Sequence, residues 1–135
     1  MRIEKSKTFD ESTDGAEIMK YFDGEKCVKI RLEYFGETGK LFREYYVDNN
    51  ELLFAFDQEF NYNMPYYMDS TRAVQSGFDQ WFDPNKTELL ESRFYFDDGE
   101  MIRWIDSSGT RIQQGDEGWL DKESFYIDDL KSRLE

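Results

Sequence analysis

Between Val28 and Tyr34 the chain alternates, with Val28, Ile30, Leu32 and Tyr34 apolar and Lys29, Arg31 and Glu33 between them. A period of two sends successive side chains to opposite faces, so this stretch reads as a half-buried strand that stops at Gly36-Glu-Thr-Gly39. The next strand runs from Leu41 to Val47, with Leu41, Arg43, Tyr45 and Val47 on one face and Phe42, Glu44 and Tyr46 on the other. Asp48-Asn49-Asn50 supplies turn chemistry, because Asn and Asp tolerate positive φ. Leu52 to Phe56 then returns as a nearly continuous apolar strand, as expected for a central one. Earlier in the chain, residues 17–22 read as a strand entering the Asp23-Gly24 turn, and residues 1–15 as a loose, polar N-terminal arm. Later, Leu90 to Phe96 and Met101 to Ile105 flank Asp97-Asp98-Gly99, a hairpin signal. The period then changes. Phe125, Ile127, Leu130 and Leu134 follow Asp121 at helical spacing, with Asp121 and Glu123 in the first turn and Lys131 and Arg133 in the last. The expected fold is a single α+β domain over residues 1–135. It consists of an antiparallel β-meander of about six strands with a C-terminal amphipathic helix packed on one face.

Two segments align without gaps, Glu44–Leu53 and Arg93–Ile102, matching Tyr46 to Tyr95, Asp48 to Asp97 and Glu51 to Glu100. A fainter third copy is Tyr21-Phe-Asp-Gly-Glu25. Each is a hairpin unit that cannot bury a face alone, so the copies are expected to stack side by side in a meander. Residues 57–88 break the pattern. They carry both prolines, Pro65 and Pro84, among Tyr62, Tyr66, Tyr67, Phe78, Trp81 and Phe82, with room for a short helix between Thr71 and Gln80. The rings there have two readings. They pin a long segment onto the sheet, or they form a binding surface, for which Tyr66, Tyr67, Trp81 and Phe82 are the candidate residues.

The combination of Gly36-Glu-Thr-Gly39, Glu44-Tyr-Tyr46, Asn50-Glu-Leu-Leu-Phe54, Glu91-Ser-Arg-Phe-Tyr95 and Gly99-Glu-Met-Ile-Arg103 resembles small exported domains of Bacteroidetes-type bacteria, a group of secreted proteins and lipoproteins. The resemblance covers about residues 15–106 and rests on hairpin grammar; it implies a β-rich fold and an envelope location, and brings no catalytic residues with it. The Tyr-turn-Gly hairpins resemble, more distantly, the stacked repeats of certain bacterial antitoxins, although the regular short period of those repeats is missing here.

Composition narrows the chemistry. Thirty acidic residues against 17 basic ones give a net charge of −13. Such a field repels nucleic acid and suits a basic protein partner, and no window of the sequence reads as a basic patch. There is no histidine, which removes Ser-His-Asp and Cys-His catalysis and His metal sites. Cys27 is the single cysteine, so no internal disulfide forms. The chain start lacks an apolar signal segment, and no apolar run approaches the roughly 18–20 residues of a membrane span. The expected location is the cell envelope or periplasm if an export signal has been removed, and the cytoplasm otherwise. The carboxylates least like loop residues are Glu44, Glu59 and Glu91, with Arg93 or Arg103 as the simplest partner for Glu44. Asp10-x-Ser12-x-Asp14-Gly15 opens like a calcium loop but has Tyr21 where the bidentate Glu belongs, so it reads as a turn. Asp83-x-Asn85-x-Thr87 likewise lacks the Gly at the sixth position, and Gly36-Glu-Thr-Gly39-Lys40 lacks phosphate-loop spacing. No metal site and no cofactor is assigned. The functional expectation is a non-catalytic acidic binding domain. The alternatives are an immunity or inhibitor protein that neutralises a basic partner, and a carboxylate-dependent hydrolase.

Overall fold

Short turns set most consecutive strands side by side, and in the computed structural model, which describes residues 1–135, even the fifth and sixth strands, joined by a long segment, are neighbours. Eight strands form one antiparallel sheet in chain order. They are β1 (Arg2–Thr8), β2 (Ala16–Asp23), β3 (Lys26–Phe35), β4 (Gly39–Asp48), β5 (Glu51–Asn61), β6 (Glu88–Asp97), β7 (Glu100–Ile105) and β8 (Arg111–Ile112). Helix α1 (Ser70–Gln75) and a single 3-10 turn (Pro84–Lys86) lie between β5 and β6, and α2 (Trp119–Leu134) closes the chain.

The two strands beyond the expected six are both edges. The first fifteen residues are not a loose arm: β1 pairs along its whole length with β2, from Arg2 opposite Phe22 to Thr8 opposite Ala16. No residue of β1 enters the core cluster and six of its seven residues are exposed, so Arg-Ile-Glu-Lys-Ser-Lys-Thr shows none of the apolar alternation that marks its neighbours. Its lysines also guard the edge against pairing with another chain. β8 is two residues long, too short for any period to register.

The repeat has a structural counterpart. The register shifts at Tyr21/Phe22, Tyr46/Val47 and Tyr95/Phe96, the same position in all three hairpins. Each then closes through a two-residue turn, with positive φ at Gly24, at Asn49 and Asn50, and at Asp98 and Gly99. A bulge in that position tightens the local twist and sets Tyr21, Tyr46 and Tyr95 on one face of the sheet at one distance from the turns.

The opposite face is the core. Ile30, Leu32, Tyr45, Val47, Ala55, Phe94 and Phe96 pack there against Trp119, Tyr126 and Leu130 of α2. The Tyr126 ring lies 4.4 Å from that of Phe94 and meets Tyr45 edge-on at 6.2 Å. Burying each such large side chain contributes about 1.5–3 kcal/mol. The helix begins two residues before the expected Asp121 cap. Gly118, at φ 85°, occupies the capping position without a side-chain bond, and the earlier start carries Trp119 into the core. Tyr126, not Phe125, is the buried ring, and Phe125 stays 48% exposed.

Polar groups stitch this seam. Arg43 sits among apolar neighbours and donates twice to Asp57, from Nε at 2.7 Å and Nη2 at 2.9 Å. The Tyr126 hydroxyl donates to the same carboxylate at 2.6 Å, and the Tyr45 hydroxyl donates to Asp129 of α2 at 2.6 Å. Arg133 donates to Asp129 as well, at 3.2 Å. Burial works against the charge of Arg43, but the bonds to Asp57 outweigh it and hold the guanidinium charged. Burial also raises the ionisation of Tyr45 and Tyr126 far above the usual phenol range, so both remain donors.

At the far end of the sheet, β4 starts with Gly39 directly against the Phe60 carbonyl, where a Cβ would collide with backbone. Gly39→Ala is therefore expected to cost about 1–3 kcal/mol. A urea titration checks this: the midpoint should fall with the slope unchanged.

Candidate functional site

The irregular segment expected over residues 57–88 is shorter, because residues 57–61 continue β5 and Glu88 opens β6; what is left is an insertion, residues 62–87, mounted on the β3–β4 turn. The Tyr62 N–H donates to the Thr38 carbonyl and the Tyr66 N–H to the Glu37 carbonyl, both at 2.9 Å. Within the insertion, the Phe82 N–H donates to the Met68 carbonyl at 2.7 Å. The Asn63 side chain bridges the two limbs, donating to the Trp81 carbonyl and accepting from the Asp83 N–H, each at 3.0 Å. Asp69 caps α1 by accepting from the Arg72 N–H. Backbone order here comes from hydrogen bonds, because α1 buries Ala73 and nothing else.

The consequence is an exposed apolar surface. Tyr66, Tyr67, Phe78 and Trp81 are 52%, 39%, 51% and 49% exposed, and Val74 is more open still. Tyr66 and Tyr67 meet edge-on at 5.6 Å. Of the four candidate residues, then, Tyr66, Tyr67 and Trp81 face outward. Phe82 differs: half-buried, it packs on Tyr62 at 5.1 Å and acts as the anchor. Sequence reasoning did not single out Phe78 or Val74 for this surface. Both stand among polar residues with no period, the pattern of an apolar side chain without a core to enter.

The three carboxylates singled out in the sequence do not converge. Alternation along β4, β5 and β6 puts Glu44 and Glu91 on the face away from α2 and Glu59 on the α2 side. Glu91 accepts from Gln58 at 3.0 Å. Glu44 is held by Lys29 at 2.9 Å and Arg31 at 3.0 Å, not by Arg93 or Arg103. The register explains this: Arg31 lies directly across from Glu44 on β3, whereas β5 intervenes between β4 and Arg93. Burial raises the pKa of Glu44, but bonds from Lys29 and Arg31 overcome it and leave the carboxyl below its usual value.

Glu44 is at the heart of a face with no helix over it. Tyr46, Phe54 and Tyr95 form a continuous row there, with centroid separations of 5.8 and 4.8 Å, and Phe56 stacks on Phe54 at 6.3 Å. Basic side chains lie across the rings: Arg31 and Lys40 over Phe42, Arg93 over Phe56, Arg103 over Tyr95. Long aliphatic stems shield the rings while the charged heads stay wet. The acids, in contrast, crowd one end of the sheet. Asp23, Glu25, Asp48, Glu51, Asp97, Asp98 and Glu100 are all exposed at the three repeated hairpin turns. Cys27 is buried in the core, and its thiol pKa is raised by that burial. No helix is long and apolar enough to cross a membrane.

Comparison with protein-family models, curated proteins and solved structures finds no match for this chain.

A depressed carboxyl pKa binds fewer protons folded than unfolded, so Glu44 stabilises the fold fully above its ordinary value of 4.5 and loses that contribution as pH falls through the lower folded value. Glu44→Gln is expected to be less stable than the parent at neutral pH and to lose stability less steeply on acidification. Urea midpoints measured across the acid range test this; parallel curves for the two proteins would contradict it.

Proposed function

We propose that this protein is a non-catalytic binding domain that grips a protein partner through the insertion between β5 and β6. The observation that carries this reading is the outward display of Tyr66, Tyr67, Phe78 and Trp81 on a backbone tied to the β3–β4 turn. Tyr and Trp offer large contact areas for few rotors, and a segment already ordered by hydrogen bonds avoids part of the entropy cost of binding. A monomer that kept five large apolar side chains exposed in one short segment, with no partner, would be courting aggregation.

A second reading, an inhibitor or immunity protein for a basic partner, is favoured by the acids gathered at the three hairpin turns within a chain of net charge −13. Charge complementarity of that kind speeds encounter and weakens with salt. An envelope location accompanies both readings, and fractionation of native cells tests it.

Replacing Tyr66, Tyr67 and Trp81 together by Ala distinguishes a surface from an anchor. Exposed positions lose within about 0.5 kcal/mol each, so the urea midpoint should stay close to that of the parent. Binding should weaken by about 2 kcal/mol or more for each ring that is a hot spot. The readout is capture of partners from envelope and cytosolic extracts at low and high salt. Capture that survives the triple replacement, or a triple variant that unfolds, would overturn the insertion as the binding surface.

A further inference from the structure

A cleft of about 620 Å³ opens between the start of α2 and strands β4 to β6, with no residue of the insertion in its lining. Its size is within the roughly 300–1,000 Å³ typical of small-ligand sites. At its inner wall is Arg43, only 8% exposed. Nε and Nη2 are engaged by Asp57, but Nη1 hydrogen bonds to nothing in the chain, and no buried side-chain polar atom is left without a partner, so Nη1 keeps access to the cleft. Ser92 lines the same space from a half-buried position, and Glu59 and Asp121 line it from exposed ones. Phe125 stands at the mouth with nearly half its surface exposed.

We propose that this cleft binds an uncharged polyhydroxy ligand, a sugar ring, with Arg43 Nη1 and Ser92 donating to its oxygens, Glu59 and Asp121 accepting from its hydroxyls, and Phe125 covering its apolar face. The charges lining the cleft select this class. A guest ammonium or guanidinium would meet Arg43 and Lys122, and a guest carboxylate or phosphate would meet Asp57, Glu59 and Asp121. Either would meet like charge beside opposite charge and so lose part of what it gains. A hydroxyl is donor and acceptor at once and carries no charge, so it satisfies both sets of groups. An adjoining hollow of about 410 Å³ shares Leu41 and Glu59 with the cleft and is lined further by Ser12, Thr13, Thr38 and Asn61. That hollow offers neutral hydroxyl and amide groups to a second ring. No residue of the insertion lines the cleft, so the two readings are tested by different variants.

The test is an NMR titration of the full ¹⁵N-labelled chain with glucose, galactose, mannose, N-acetylglucosamine and their disaccharides, and with lysine and glutamate as charged probes. At least one neutral sugar is expected to give saturable shifts at amides of residues 41–43, 57–59, 90–94 and 121–126. Glu59→Ala and Phe125→Ala, both at exposed positions outside the Arg43–Asp57 hydrogen bonds, should each weaken that binding about tenfold, the order expected for losing one good contact. Asp121→Ala provides a third variant should either fold poorly. Absence of saturable shifts with every sugar at millimolar concentration would overturn the proposal. So would binding of lysine or glutamate without sugar, or sugar binding that the cleft variants leave unchanged.

Discussion

An arginine and an aspartate largely withdrawn from water between a sheet and a helix answer each other's charge, because little solvent reaches either. Arg43 on β4 and Asp57 on β5 are cross-strand neighbours, so the sheet itself fixes their approach and their two parallel hydrogen bonds. What the sheet cannot supply is a cover. Tyr126 supplies it, donating to Asp57 while its ring roofs the pair and packs on Phe94. The helix is thus held at a defined height and angle by a polar contact set inside an apolar seam. The second stitch, from Tyr45 to Asp129, fixes its rotation one turn further on. The cleft exists because the α2 N-terminus stands off from β4–β6 at this point, leaving one edge of the Arg43 guanidinium open.

One helix cannot cover eight strands. A sheet of this width has a second face to protect, and here it protects itself. Rings that stand up from alternate positions lean on one another, and arginine and lysine stems lie over them, anchored near the middle by Glu44 between Lys29 and Arg31. Cations contributed singly or in alternating pairs by separate strands never form a run in the sequence, which is why no basic patch is visible there. Folding brings them together across strands, while the excess acid is displaced to the hairpin turns.

How much of this was legible in the chain depends on whether the signal was local. Period-two alternation located β3 and β4, a continuous apolar run located β5, and turn residues located β2, β6 and β7 beside their hairpins, because all these signals act over a few residues. The repeat of Tyr, Asp and a two-residue turn likewise led to the stacked hairpins. β1 escaped because an edge strand has no obligatory apolar face. The helix start was misplaced because Asp121 offered an attractive cap, whereas burial of Trp119, a tertiary effect, decided the boundary. The partner of Glu44 was missed for the same kind of reason: register, not spacing along one strand, brings Arg31 to it. In the insertion the local composition marked Tyr66, Tyr67 and Trp81, but only the fold separates these outward rings from the inward Phe82.

The claim on which the rest depends is that the Arg43–Asp57 pair functions as a unit at the helix–sheet seam. A double-mutant cycle built from Arg43→Met and Asp57→Leu, read by urea unfolding, tests it most directly. Each single replacement strands a buried charge and should cost about 3–5 kcal/mol. The double replacement should cost far less than the two singles combined, because no unpaired charge is left behind. Single losses that simply add, or singles that cost almost nothing, would contradict the account and place the helix under the control of its apolar contacts alone.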